Sequence, residues 1–480
     1  KSAACFLKNS ILCILSYNIY VTIKLHNTLT GKLEEFKPIK SNEVGMYHCG
    51  PTVYGEQHIG NLSMFVFTDI LRRTLEYHDL DVKQVINITD FGHLTSDADE
   101  GEDKMAKGLR AEDLSPTLEN MRVLAHKYGE IFLEDIKKLN VKMDGTVFPY
   151  ASEYVSDQIK LIKILEEKSF AYKTSDGIYF DISKFPGYGK LGGLSKSDTQ
   201  ARVSPNPEKR NPKDFVLWKF NNELGFPSEW GQGFPGWHIE CSAMILKLLG
   251  EQIDIHTGGI EHIPVHHNNE IAQSEAATGK VPFAKYWLHR AHLQISGEKI
   301  AKSESNVVYL SEIIDKGFSP LAYRYFLLMA HYRTPVNFSW EALEAAGNAY
   351  KKLKEIHSRL IRANSGIVEH YKKEFTSAIE NDLNTPEALA VVWKLVKDES
   401  VSPAGKYATL LDFDKVLGLD LENNEFEIKD IPVEVQELLV ERESARIAGN
   451  YQKADELRKK IKSLGFIVED TATGQKISKL

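Results

Sequence analysis

The stretch Val44-Gly45-Met46-Tyr47-His48-Cys49-Gly50-Pro51-Thr52-Val53, followed closely by His58-Ile59-Gly60-Asn61, decides the fold. It reads as a strand that stops at Gly50-Pro51, where proline withdraws a backbone donor. Beyond the loop, Phe67, Ile70, Leu71 and Leu75 recur near the 3.6-residue period and predict a helix. Val82 to Ile88 then alternates as a second strand. A strand–loop–helix–strand unit implies a parallel sheet. A glycine-containing loop that opens a helix favours phosphate, because unpaired N–H groups and the helix dipole face the anion.

Working outward, residues 92–113 are polar and acidic and predict an exposed loop. Residues 114–225 alternate helical stretches with Gly- and Pro-rich ones, as an insertion between two halves of a nucleotide-binding sheet would. Residues 230–300 resume an αβ pattern, and from about 340 the apolar spacing is helical. Two short helices are expected near 433–447 and 450–464, with Gly465 closing the second. The expected organisation is an ill-defined extension (1–20), the first half of a Rossmann-like α/β catalytic domain (21–113), a connective insertion (114–225), the second half (226–340), a helical bundle (341–425) and a small C-terminal region (426–480).

The 480 residues, 42% hydrophobic and 26% charged, fit a globular chain of several domains. A net charge of −8 means that any polyanion would need a local basic face. The four cysteines, Cys5, Cys13, Cys49 and Cys241, form no close-spaced disulfide framework. No run of about eighteen apolar residues predicts a membrane span. Ile11 to Leu15 makes only a weak signal-peptide core, interrupted at Asn18 and without a clear cleavage site.

Five of the sixteen histidines, His238, His256, His262, His266 and His267, crowd around Cys241. His266 and Glu270, four apart, share one face of a helix. Thiolate, imidazole and carboxylate are the donors zinc prefers, and Cys49 at the first strand's end offers a fourth. Spacing alone leaves two readings open, a zinc site or a hydrogen-bonded polar cluster lining a cleft. The pair Lys299 and Lys302, beside Ser303, reads either as a phosphate clamp or as a solvated loop.

In order along the chain, these pieces resemble the cysteinyl-tRNA synthetase family from about Val21 to Gly474. Tyr47 to Tyr54 is similar to the family's opening strand with its zinc cysteine. His58-Ile59-Gly60-Asn61 resembles the class I HIGH signature, and Asn87-Ile88-Thr89-Asp90 the strand end after it. Gly236-Trp237-His238-Ile239-Glu240-Cys241-Ser242 and the helix His266 to Ser274 match its metal-binding segments, and Lys299 to Ser303 resembles KMSKS.

The resemblance implies a class I synthetase that activates L-cysteine with ATP and loads it onto tRNA(Cys), with an α-helical C-terminal tRNA-binding region. It implies one Zn2+ held by Cys49, Cys241, His266 and Glu270, and Mg2+ with the ATP. It assigns His58, Lys299 and Lys302 to catalysis, and Gly60, Asn61 and Ser303 beside His58 and Lys302 to ATP. Thr52, Thr89, Trp237 and His256 become walls of the amino-acid pocket. A cytoplasmic monomer with no membrane contact is expected. Two motifs depart from the pattern. Asn61 replaces the second imidazole of HIGH, keeping a hydrogen-bond donor without charge, and Ile300-Ala301 occupy the middle of KMSKS. The rival readings are a mycothiol-type ligase joining cysteine to an amino sugar, and a catalytically silent zinc-binding relative.

Overall fold

The computed structural model describes residues 23–91, 104–193, 206–295, 298–299, 307–360, 366–423, 432–471 and 474–479. The extension 1–20, and Lys302 and Ser303 of the lysine loop, lie outside the described residues.

A five-stranded sheet organises the first two-thirds of the chain. Its spatial order is Ala284–Arg290, Ile253–Gly259, Glu43–His48, Asp81–Ile86, Thr146–Val147. Every pairing is parallel, as the strand–helix–strand pattern requires. The strand order reverses between Glu43–His48 and Ile253–Gly259. Carboxyl ends at such a switch point form the natural ligand crevice of an open α/β sheet. The helix Ile59–Tyr77 follows the first strand and buries Leu62, Val66, Ile70 and Leu71.

Gly50 shows why the first strand can end where it does. A Cβ there would lie 1.5 Å from the carbonyl oxygen of Asn87. Only a residue without one lets the two strand ends approach, and the Gly50 N–H donates to Asn87 Oδ1 at 2.8 Å.

The expected insertion interleaves with the sheet instead of standing apart. Within its span, Thr146–Val147 supplies the sheet's fifth strand. A separate antiparallel sheet runs Ala171–Lys173, Gly177–Phe180, Phe215–Phe220, Gly233–Pro235, and its last strand lies past residue 225. The expected loop at 92–113 needs correcting over its second half. Residues Lys104–Ala111 are helical, because Met105 and Leu109, four apart, give a short apolar face that is fully buried.

The helical C-terminal region holds Trp340–Arg359, Glu369–Glu380, Thr385–Lys397 and Pro403–Leu417. Arg324 ties it to the catalytic part. The buried guanidinium donates to the carbonyls of Leu417 at 2.8 Å and Leu139 at 2.9 Å, and to Asp69 Oδ2 at 2.5 Å. The two last helices are Val433–Ile447 and Tyr451–Ser463, the second followed by Gly465 at φ +88°. The chain continues past them into a hairpin, Phe466–Thr471 with Gly474–Lys479. The alternation Phe466, Val468 carries it, because these two side chains complete a small core of their own with Val435, Leu438, Leu457 and Ile461. Among the described residues no helix is long and apolar enough to cross a membrane.

Candidate metal and substrate site

Three elements converge at the switch point. The strand Glu43–His48 delivers Cys49 at its end. The helix Trp237–Leu248 presents Cys241 one turn from its start, and the helix His266–Thr278 presents His266 and Glu270. Donor atoms of these four residues all lie within 4.8 Å of one another, and all four are buried or nearly so. His266 Nε2 stands 2.9 Å from Glu270 Oε1, as two residues four apart on a helix should. Cys241 Sγ lies 3.7 Å from His266 Nε2, and Cys49 Sγ 3.8 Å from Glu270 Oε1.

Further imidazoles surround this set. His238 Nδ1 lies 2.8 Å from His266 Nδ1, which leaves Nε2 of His266 directed at the thiol and carboxylate. His256 Nε2 meets Glu270 Oε2 at 2.8 Å, and its ring stacks on Trp287 at 4.4 Å. His267 Nε2 lies 3.3 Å from Cys49 Sγ, while its Nδ1 meets His289 Nε2 at 2.8 Å. His289 in turn reaches the Thr28 hydroxyl at 2.8 Å. Gly258 leaves room for this cluster, since a Cβ there would sit 2.6 Å from His267 Cε1.

A family model described as tRNA synthetases class I (C) catalytic domain matches residues 35–348. A DALR domain model matches 374–422, and a cysteinyl-tRNA ligase anticodon binding domain model matches 429–477. The cysteine–tRNA ligase of Treponema denticola is 43% identical, covering 94% of this chain and 98% of its own. The chain belongs to the cysteine–tRNA ligase family. Cysteine–tRNA ligase 1 of Burkholderia lata is likewise 43% identical, with 95% of this chain and 96% of the relative covered. Among solved structures, a methionyl-tRNA synthetase of Mycobacterium tuberculosis in complex with methionyl-adenylate superposes with a TM-score of 0.53 at 13% identity. It covers 78% of this chain and 90% of the other. That likeness shows the class I fold, in accord with the parallel sheet.

The charge balance of the cluster fits the divalent cation expected in a cysteine–tRNA ligase. Two thiols and a carboxylate share one buried pocket, and burial pushes the Cys49 thiol up, with Cys241 and Glu270 adding to it. Contact with Cys49 draws the Cys241 thiol down, against its burial. Burial opposes ionisation of Glu270, but His256 and His266 outweigh it and hold the carboxyl well below the usual range. Burial likewise opposes charge on His266, yet Glu270 and Cys241 raise it to about 10. A soft dication would neutralise this collection and displace its protons. A second donor group, Cys49, His256, His267 and Glu270, overlaps the first, so two imidazoles could stand in at its edge.

Of the other expected residues, Trp237 and His256 touch this cluster directly. His58 caps the helix Ile59–Tyr77, its Nδ1 accepting the Asn61 N–H at 3.1 Å, which places the ring proton on Nε2. Gly60 lies in the first turn, and Asn61 donates through Nδ2 to Gln57 Oε1 at 2.8 Å. Thr52 and Thr89 are bridged side by side at neighbouring strand ends. The Thr89 hydroxyl donates to the buried Glu240 Oε2 at 2.8 Å. The ring of Trp237 packs 4.3 Å from that of His266. Lys299 closes the short strand Glu298–Lys299.

Sequence reasoning passed over Glu240, His289 and Trp287. The alternation Trp287, His289 within a strand would have placed both on one face, towards the metal helix. For Glu240 the signal was weaker, a carboxylate one residue from Cys241 in a helix start of mixed character.

Proposed function

We propose that this chain activates L-cysteine with ATP, releasing pyrophosphate, and transfers the cysteinyl group to the 3′ end of tRNA(Cys). The observation that carries the reading is the convergence of Cys49, Cys241, His266 and Glu270 at the switch point of a class I sheet. When bound, zinc would supply a soft Lewis-acid contact that favours a substrate thiolate over a hydroxyl.

The cysteine carboxylate attacks the α-phosphate, and negative charge spreads over phosphate oxygens as pyrophosphate leaves. Positioning and cationic stabilisation then carry most of the catalysis. His58 stands at the helix start, where its ring is suited to such a phosphate, and Lys299, Lys302 and Ser303 are assigned to the same phosphates. Gly60 and Asn61 complete the ATP contacts, and Mg2+ accompanies the nucleotide. Thr52, Thr89, Trp237 and His256 wall the amino-acid pocket, with Glu240 fixing the Thr89 hydroxyl. A cytoplasmic location agrees with this role.

Lys302→Ala should slow adenylate formation by about two to three decades, the scale for one preorganised stabilising group. Cysteine affinity should stay within about a factor of three. A single-turnover rate left intact, with affinity lost, would remove Lys302 from its assigned role.

Cys49 and Glu270 belong to both donor groups. Cys49→Ala and Glu270→Ala should therefore each lose the zinc that wild-type protein carries at one per chain. His266 and Cys49 must both give up protons to bind it, so apparent affinity should fall as pH falls, by about tenfold per pH unit for each proton displaced. Metal analysis after equilibration with a chelator at pH 8 and pH 6 checks both points. Zinc retained by the variants, or an affinity flat with pH, would contradict the assignment.

The function itself is tested by pairing two assays on the full chain. Cysteine-dependent pyrophosphate exchange together with charging of tRNA(Cys) supports it. Exchange without charging indicates the amino-sugar ligase, and neither activity indicates a silent relative.

A further inference from the structure

Four arginines are buried among the described residues: Arg72, Arg290, Arg324 and Arg442. Three have carboxylates, Glu76 for Arg72, Asp69 for Arg324 and Asp470 for Arg442. Arg290 has none within ion-pair distance among the described residues. It is only 4% exposed, and its one hydrogen bond there runs from Nε to the Ser63 hydroxyl at 3.0 Å. Burial pulls its pKa down to about 10, so the guanidinium is still charged at neutral pH. A buried charge without a counter-charge is strongly unfavourable, and removing it from water yields nothing in return unless an anion arrives.

The position of Arg290 says where that anion would sit. The residue ends the edge strand Ala284–Arg290. Trp287 and His289 of that strand face the metal cluster, so strand alternation turns Arg290 to the opposite face. There it lines a small, partly open cavity of about 20 Å³, room for one small ion, with Val66, Phe67, Leu327, Leu328, Tyr332 and Thr385. The walls are apolar apart from the guanidinium, the Thr385 hydroxyl and the Tyr332 phenol, which donates to Asp382 Oδ1 at 2.7 Å. Such a lining selects a small monovalent anion, because stripping water from a phosphate or a dicarboxylate costs far more. The cavity also lies where the helix Ile59–Tyr77, the helix Pro320–Leu328 and the start of Thr385–Lys397 meet.

We propose that the Arg290 cavity is a structural anion site, taking a halide or a formate-sized carboxylate that joins the sheet edge to the C-terminal helical region. The site is separate from the metal centre, and the proposal does not depend on the chain's catalytic assignment. Crystals of the full chain soaked in sodium bromide should show an anomalous peak at hydrogen-bonding distance from the Arg290 Nη atoms. Arg290→Met crystals should lack it. In solution, replacing sodium gluconate by an equal concentration of sodium bromide, or separately of sodium formate, should raise the wild-type Tm saturably by about 2 °C, the scale for filling one site in a chain of this length. Arg290→Met should stay flat in both series, and the two series tell the halide from the carboxylate. No anomalous peak in wild-type crystals, together with no saturable wild-type Tm rise in formate, overturns the proposal, even if the variant fails to fold. A peak without a saturable Tm rise marks binding at crystal concentration only and overturns it too. So does an equal rise in wild type and Arg290→Met.

Discussion

Serine should be activated at least about 10⁴-fold less efficiently than cysteine, the discrimination typical of a site built for a polar group that the competitor lacks. The two amino acids differ by sulfur for oxygen, and shape alone rejects an isostere poorly. The pocket here is built around acidity instead. Cys49, Cys241, His266 and Glu270 bring two thiols, an imidazole and a carboxylate within 4.8 Å. A substrate thiol ionises near pH 8.5, within reach of metal and imidazole assistance, whereas a serine hydroxyl does not approach that range. Aromatic rings crowd these donors, with Trp237 4.3 Å from His266 and Trp287 4.4 Å from His256. Pyrophosphate exchange with each amino acid in turn gives the ratio. Comparable rates would mean that nothing in this cluster reads sulfur.

Removal of residues 430–480 should leave cysteine-dependent exchange within about twofold of the full chain and lower tRNA charging by about 10³ or more. The expectation of a spared active site rests on packing. Val435, Leu438, Leu457, Ile461, Phe466 and Val468 form a core separate from the one around the sheet, so their loss opens no cavity beneath it. Arg442 pairs with Asp470 at 2.8 Å inside the same unit. The expectation of lost charging rests on charge and on the anticodon binding domain model that matches 429–477. The last forty residues hold nine Lys and Arg against six Asp and Glu, in a chain whose net charge is −8. Lys453, Arg458, Lys459, Lys460 and Lys462 crowd the helix Tyr451–Ser463 and its end. Phosphate contacts from such a helix make binding salt-dependent. Base reading there would need stacking or edge contacts. Full charging by the shortened chain would show that tRNA is read elsewhere.

The sequence carried the parallel sheet and the identity of the cluster, each for a physical reason. The strand before Gly50 and the helix after His58 have unmistakable periods, and His266 and Glu270 lie on one face whatever surrounds them. Short strands were harder to see. Thr146–Val147 is two residues long and has no period to read. The antiparallel sheet of the insertion is built from segments of three to six residues, which tertiary pairing decides more than local propensity does. The terminal hairpin follows directly on a helix, and its apolar alternation is brief. Outer contacts such as His289 to His267 join residues 22 apart, and their partners become visible only when strand and helix are packed together.

Zinc-edge X-ray absorption on the full chain tests the central claim most directly, because it counts sulfur atoms around the ion. Cys49 and Cys241 should give two sulfur neighbours at about 2.3 Å. Saturating cysteine should raise the count to three, and serine at the same concentration should leave it at two. A sulfur count that cysteine does not change would contradict the claim that this site selects its substrate by its thiolate.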